Sequence, residues 1–394
     1  MSPFEIDRRT FLTTIVGGAA AAAVFPSTAS AAASQEGSAT VHFAYVGGYT
    51  TAKRQGRAPG ISVFRVDAPG RWTAVQQLPT AVGNPSFLIL DRGQTTLYAV
   101  HGDLTAVTTY RVDPPTGTLT PLGVHETGGT NPVHLSLSPD ERFLVVANYA
   151  TGSLAVFPRK PDGTLGDRIQ LLTLSGTPGP LADEQHGPQP HHVPFDVTGR
   201  HILVPDKGTD VVHRIGFDAA TGTLSDDGVP YRSHAGSGPR HISFHPTLPI
   251  GYLVDELSSE VSVLAYESGS ATLVAVQHLS TLPNGFEGES TGAEVVVTPG
   301  GKFVLVSNRG ADSVAIFGVT PVGALLPPAF TSSGGHQPRF ITLDPSERTL
   351  YVANQKSDVI TAYTLDPETG DLATAGTPIK VGTPSTIVFT AGFR

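Results

Sequence analysis

The stretch NPVHLSLSPDERFLVVANY, residues 131–149, decides how the chain is read. A proline near its start is followed by a run in which apolar and polar residues alternate. A Pro-Asp turn then leads into a continuous apolar run closed by a polar pair. Such a pattern describes two short strands joined by a tight turn. Five further segments repeat it: NPSFLILDRGQTTLYAVHG (84–102), QPHHVPFDVTGRHILVPDK (189–207), GPRHISFHPTLPIGYLVDE (238–256), GAEVVVTPGGKFVLVSNR (292–309) and QPRFITLDPSERTLYVANQ (337–355). Their leading residues are Pro85, Pro132, Pro190, Pro239, Gly292 and Pro338, and in all six copies the polar pair begins sixteen residues later.

A seventh copy, TPSTIVF (383–389), meets the C-terminus without its second strand. That strand is found at the other end of the chain, where AYVGGYT (44–50) matches LVVANYAT (144–151). A second landmark is the hairpin turn DPPTGTL (113–119), DAATGTL (218–224) and DPETGDL (366–372), recurring more loosely around Gly70, Gly163, Gly269 and Gly323. Glycine there supplies the positive φ that such turns need. The turn glycines are 46 to 59 residues apart, the length of a four-stranded propeller blade. The reading is all-β: one seven-bladed β-propeller over residues 41–394, closed by an N-terminal strand that completes the C-terminal blade and leaves no long exposed sheet edge. Two β-sandwiches would give the ends of the chain no reason to complement each other.

Composition narrows the function. The 394 residues carry a net charge of −9 and no basic run, which argues against a nucleic-acid partner. The absence of cysteine removes a disulfide framework, a thiolate zinc site and a cysteine nucleophile. Arg8 and Arg9, followed by Thr10, Phe11 and Leu12, precede an apolar run broken by Pro26 and Ala-x-Ala sites at 29–31 and 31–33. Residues 1–33 therefore read as a twin-arginine signal peptide and 34–40 as a short linker. The mature protein is expected outside the cytoplasm, in the cell envelope or medium, without a membrane span.

Superposing the copies by sequence places equal positions around a common axis. The residue after the leading proline is Ser86, Val133, His191, Arg240, Ala293, Arg339 or Ser385; the next is Phe87, His134, His192, His241, Glu294, Phe340 or Thr386. The second member of the polar pair is Tyr49, Gly102, Tyr149, Lys207, Glu256, Arg309 or Gln355. These strand-end columns are expected to converge at one mouth of the channel. There His191, Arg240, Arg339, Glu256, Arg309 and Glu294 would form a ring of one imidazole, two carboxylates and three guanidiniums, the kind of titratable cluster that catalysis uses. Singly, each has a plain structural role open to it, such as bonding a neighbouring carbonyl or carboxylate.

The runs GPRHISFHP…YLVDELSSEVSVLAY, NPVHLSLSPDERFLVVANYATGSLAVF and FVLVSNRGADSVAIF resemble the lactonase family of seven-bladed propellers, which includes bacterial 6-phosphogluconolactonases and fungal 3-carboxy-cis,cis-muconate lactonizing enzyme. The resemblance spans essentially the whole mature chain. It implies catalytic roles for His191, Arg240, Glu256 and Arg309, with His192, His241, Glu294, Arg339 and Gln355 as substrate-binding candidates. Many relatives carry Pro-His-x-His where this chain has Pro188-Gln189-Pro190-His191, so the imidazole assignment stands between His191 and His192.

A lactonase must activate water and stabilise an oxyanion. His191 or Glu256 is the expected general base, and Arg240 and Arg309 the donors to a substrate carboxylate or the oxyanion. The same set suits a muconate-type cycloisomerase, and a non-catalytic propeller that only binds its ligand is the reading of a different class. The loop DEQHGPQPHH, with Asp183, Glu184 and His186, has metal-ligand residue types without a recognised spacing. The expectation is a monomer acting on a small lactone or carboxylate, with no metal and no cofactor.

Overall fold

The computed structural model describes residues 41–392; the signal peptide and linker read from the sequence lie outside them. Seven antiparallel sheets follow one another along the chain. Blades 1 to 6 occupy residues 85–126, 132–173, 190–232, 239–280, 291–332 and 338–380. Blade 7 begins with Pro384–Phe389 and continues through His42–Gly48, Ile61–Ala68 and Arg71–Leu78. Tyr45 pairs with Val388 and Val46 with Ile387, so the two ends of the chain share one sheet.

The second strand of each blade is the continuous apolar run of the repeat. Thr96–His101, Phe143–Asn148, Ile250–Asp255 and Thr349–Asn354 are buried at every residue, because neighbouring blades cover both faces of the strand. Among the described residues one apolar cluster fills each interface between consecutive blades, and the seventh joins Phe43 and Tyr45 of blade 7 to Leu97 and Tyr110 of blade 1. Burial between blades, rather than within one, therefore closes the ring.

The turn glycines do more than turn. Gly222 has φ +76 and a Cβ there would stand 2.3 Å from the Phe143 ring of the preceding blade; at Gly370 (φ +78) it would stand 2.5 Å from Phe303. The fourth blade departs from the expected pattern: Gly269 is not in the left-handed region, and Ala271 takes the positive φ of 51 instead.

Two features of the innermost strands were not legible in the repeat. Register shifts at Pro85/Phe87, Pro132/His134, Pro239/His241 and Pro338/Phe340 make the residue after the leading proline an extra, unpaired one. Such a bulge breaks the alternation of faces, and in blade 4 the two successive side chains go to different partners, Arg240 to Glu256 and His241 to Glu294. In blade 3 the expected inner strand is reduced to isolated bridges, Pro190 with Asp206 and Phe195 with Ile202, since Pro190 and Pro194 have no N–H to donate.

Candidate active site at the channel mouth

Glu256 follows the second strand of blade 4. Its amide donates to the Gly238 carbonyl at 2.6 Å, and its own carbonyl accepts from Gly292 at 2.9 Å. Held between blades 4 and 5, its carboxylate meets three cations. Oε2 lies 3.1 Å from Arg240 Nε and 3.2 Å from Arg309 Nη2, while Oε1 lies 3.8 Å from Lys207 Nζ. Both guanidiniums are anchored on blade 5 backbone. Arg240 Nη1 donates to the Ala293 carbonyl and Arg309 Nη2 to the Gly292 carbonyl at 2.9 Å.

Burial alone would raise the pKa of Glu256, but Arg309, Lys207, Arg240 and Arg339 outweigh it and hold the group at about 2. At about 2 the group is a carboxylate across the neutral range, and its three cationic neighbours suit it to the role of fixed counter-charge. Burial, with Arg339 and Arg309 nearby, lowers Arg240 to about 9 against the pull of Glu256 and Glu294, which leaves it cationic at neutral pH. The contact between Arg240 Nε and Glu256 is an ion pair without hydrogen-bond alignment. Among the described residues the Nε groups of Arg240 and Arg309 are both buried without an acceptor.

Behind this cluster lies a chain of imidazoles. His191 Nδ1 is 3.1 Å from His241 Nε2, and His241 Nδ1 is 2.8 Å from Glu294 Oε1. Burial first, and the surrounding arginines second, push both imidazoles well below the usual histidine range, so both are neutral. Burial raises Glu294 to about 7 in spite of Arg240 and His192. Among the described residues His191 Nε2 has no hydrogen-bond partner, and the ring meets Tyr149 edge-on at 5.7 Å.

In the column containing His192 and His241 the rings pack on one another. His192 stacks on His241 at 4.5 Å, meets His134 at 4.3 Å and accepts a hydrogen bond from the Ile242 amide at 3.2 Å. Phe87 spans to His134, His241 and Phe340, with centroids 4.3, 6.4 and 5.8 Å away. His192 thus packs among His134 and His241, while His191 lies toward Arg240, Arg339 and Arg309.

Of the remaining candidates, Arg339 lies over the Tyr49 ring at 5.7 Å and makes no ion pair among the described residues. Gln355 stands at the same strand end, its amide bonded to the Gln337 carbonyl, but its side chain makes no hydrogen bond to the cluster. Two residues left out of the expected site belong beside it. Lys207 Nζ lies 2.6 Å from Glu184 Oε2 and 3.2 Å from Tyr149 Oη. Lys207 and Tyr149 occupy the same column as Glu256 and Arg309, a signal that was present in the sequence. Asp183 and His186 of the same long loop are exposed. Among the described residues no three His, Asp or Glu side chains are grouped to hold a metal.

Cations from blades 3, 4 and 5 thus face one counter-charge beside a neutral imidazole, an arrangement able to bind a small oxygen-rich substrate. The sequence profile "Lactonase, 7-bladed beta-propeller" matches residues 43–389. A 6-phosphogluconolactonase of Bacillus subtilis is 31% identical over 358 residues, 89% of this chain and 99% of that protein. Another from Pectobacterium carotovorum is 34% identical over 79% of this chain and 90% of its own length. Among solved structures, a periplasmic gluconolactonase of Pseudomonas aeruginosa superposes with a TM-score of 0.81 at 32% identity, covering 90% of this chain and 100% of that one. The chain belongs to the lactonase family of seven-bladed β-propellers, and is an enzyme of the lactone-hydrolysing class.

Proposed function

We propose that the protein hydrolyses a sugar or related lactone without a metal, in the cell envelope or medium, as a monomer. The carrying observation is the pair of buried arginine Nε–H groups, on Arg240 and Arg309, that lack an acceptor beside Glu256. Buried donors are rarely left unmatched, and an incoming carbonyl oxygen that gains negative charge supplies the acceptor.

The reaction uses the groups at the mouth. His191 Nε2 takes a proton from water as the water oxygen bonds to the lactone carbonyl carbon. The resulting oxyanion is held by Arg240 and Arg309. Collapse of the tetrahedral intermediate breaks the ring C–O bond, and the departing oxygen takes the proton back from His191, yielding the hydroxy acid. Glu256 keeps the two guanidiniums in place. Support for the substrate class comes from the relatives, named for gluconolactone and its 6-phosphate. Location outside the cytoplasm rests on residues 1–33 and accords with the periplasmic relative; it favours an unphosphorylated lactone.

The test is pH-stat hydrolysis of a lactone panel, including δ-gluconolactone and its 6-phosphate, by mature protein with and without chelator, beside Arg240→Ala. Turnover above the spontaneous rate that survives chelator and is lost in Arg240→Ala is the expected result. Turnover abolished by chelator would overturn the metal-free reaction, and no turnover on any lactone would overturn the lactonase reading in favour of ligand binding.

A further inference from the structure

His191, His241 and Glu294 come from blades 3, 4 and 5 and meet end to end, with Glu294 Oε1 2.8 Å from His241 Nδ1 and His241 Nε2 3.1 Å from His191 Nδ1. A neutral imidazole has one donor nitrogen and one acceptor nitrogen. Fixing the proton at one end of this chain therefore fixes it throughout. When Glu294 is a carboxylate it can only accept. His241 then donates through Nδ1 and accepts at Nε2, His191 donates through Nδ1, and the lone pair of His191 Nε2 faces the site. When Glu294 is protonated its hydroxyl donates to His241 Nδ1, each ring is inverted, and His191 Nε2 carries the hydrogen.

We propose that Glu294 and His241 are positioning residues that set the tautomer of His191, so that one proton added at Glu294 turns His191 Nε2 from a proton acceptor into a proton donor. The inference rests on the lactonase reading only for its catalytic consequence. No net charge crosses the chain; one proton binds at Glu294 and two shift between ring nitrogens.

The surroundings favour this arrangement. His191 is faced by Arg240, Arg339, Arg309 and the edge of Tyr149. His241 is faced by the same arginines, by Glu256 and by the stacked ring of His192, with His134 edge-on at 5.7 Å. Glu294 is faced by Arg240, Arg339 and His192. Burial and the positive charges keep both rings neutral, the condition the relay requires. Glu294, by contrast, is raised by burial to about 7 and is the member that titrates near neutrality. Its Oε2 is buried without a hydrogen-bond partner among the described residues, which disfavours the ionised form. The layer of Phe87, His134 and His192 packs against His241.

The experiment is ¹⁵N NMR of the full mature protein labelled at its histidine rings, titrated through the window around pH 7 set by Glu294, with the rings assigned by single substitution. The expected result is that His191 Nε2 passes from protonated to unprotonated as pH rises while the ring stays neutral, and that Glu294→Gln abolishes the exchange. A His191 tautomer unchanged across the window in wild type would overturn the proposal, as would an exchange that persists in Glu294→Gln. In parallel, the acid limb of kcat/KM near neutrality should vanish in Glu294→Gln, whose amide does not titrate. The two readings fail separately. A tautomer switch without turnover on any lactone keeps the relay and removes the lactonase, and turnover with a fixed tautomer does the reverse.

Discussion

Glu256 Oε2 lies 3.1 Å from Nε of Arg240. This contact ties the end of one blade-4 strand to the bulge of another, and the same oxygen reaches Arg309 of blade 5 at 3.2 Å. One carboxylate oxygen thus orders cations from two blades, and its twin reaches Lys207 of a third.

Replacing it should be costly twice over. Glu256→Gln leaves Arg240, Arg309 and Lys207 without their shared counter-charge, and breaking such a pair costs about 3–5 kcal/mol. Turnover is expected to fall by roughly 10²-fold or more, the scale of a lost oxyanion-site contact. The stability term has a definite pH dependence. Because the folded pKa is about 2, below the ordinary 4.5, the contribution is full above about pH 4.5 and is lost as pH falls toward 2. The gap in thermal midpoint between wild type and variant should accordingly close in acid. A gap that widens on acidification would contradict the assignment.

His191 and His192 should separate cleanly. His191→Gln removes the proton acceptor and is expected to lower kcat by ~10²–10⁴ with little change in melting temperature. His192→Phe removes the acceptor of the Ile242 amide, at about 1–3 kcal/mol for a buried N–H left unpaired, while kcat stays within a few-fold. Steady-state kinetics beside calorimetry decide it, and the reverse pattern would make His192 the base.

Among the described residues Arg339 has no carboxylate partner, and it packs on Tyr49. Arg339→Gln should raise KM about tenfold or more for a lactone bearing a carboxylate or phosphate, since a charge-assisted bond contributes about 1.5–3 kcal/mol. KM for a neutral lactone of the same ring should hardly move. Equal effects on both would show that Arg339 acts on the fold or on the reacting carbonyl.

Asp255 offers a test away from the mouth. Burial raises it to about 7, against hydrogen bonds from Ser262 and Ser233. Because the folded state holds a proton that the unfolded state releases above about pH 4, this group makes stability fall as pH rises from about 4 to about 7. Asn148, Asn308 and Asn354 fill the equivalent place in other blades and bond a hydroxyl there at 3.2–3.3 Å, so Asp255→Asn should be accommodated. Melting curves are expected to show the variant gaining on wild type as pH rises through that window; parallel curves would mean Asp255 ionises freely.

How much of this was legible in advance differs by level. The sixteen-residue spacing from Pro132 to Asn148 and its repeats requires no tertiary information, because each copy carries its own alternation, turn and buried run. The match of residues 44–50 to a missing strand predicted the closure seen between Tyr45 and Val388. Columns of the repeat also isolate Arg240, Glu256 and Arg309. Lys207 and Tyr149 stand in those columns too, but the contacts that bring them to the cluster, with Glu184, Glu256 and each other, are made across segments distant in sequence.

The sequence by itself determined the blade count, the closure and the set of strand-end residues, since those depend on local periodicity repeated along the chain. Only the tertiary structure decided depth and pairing. A bulge after the leading proline sends Arg240 to Glu256 and His241 to Glu294, although the two are adjacent in sequence. Which side chains touch across the axis depends on the curvature of seven sheets packed together, and so does whether a carboxylate is held at about 2, like Glu256, or raised to about 7, like Glu294. Charge and burial act through space, and no single repeat contains its neighbours.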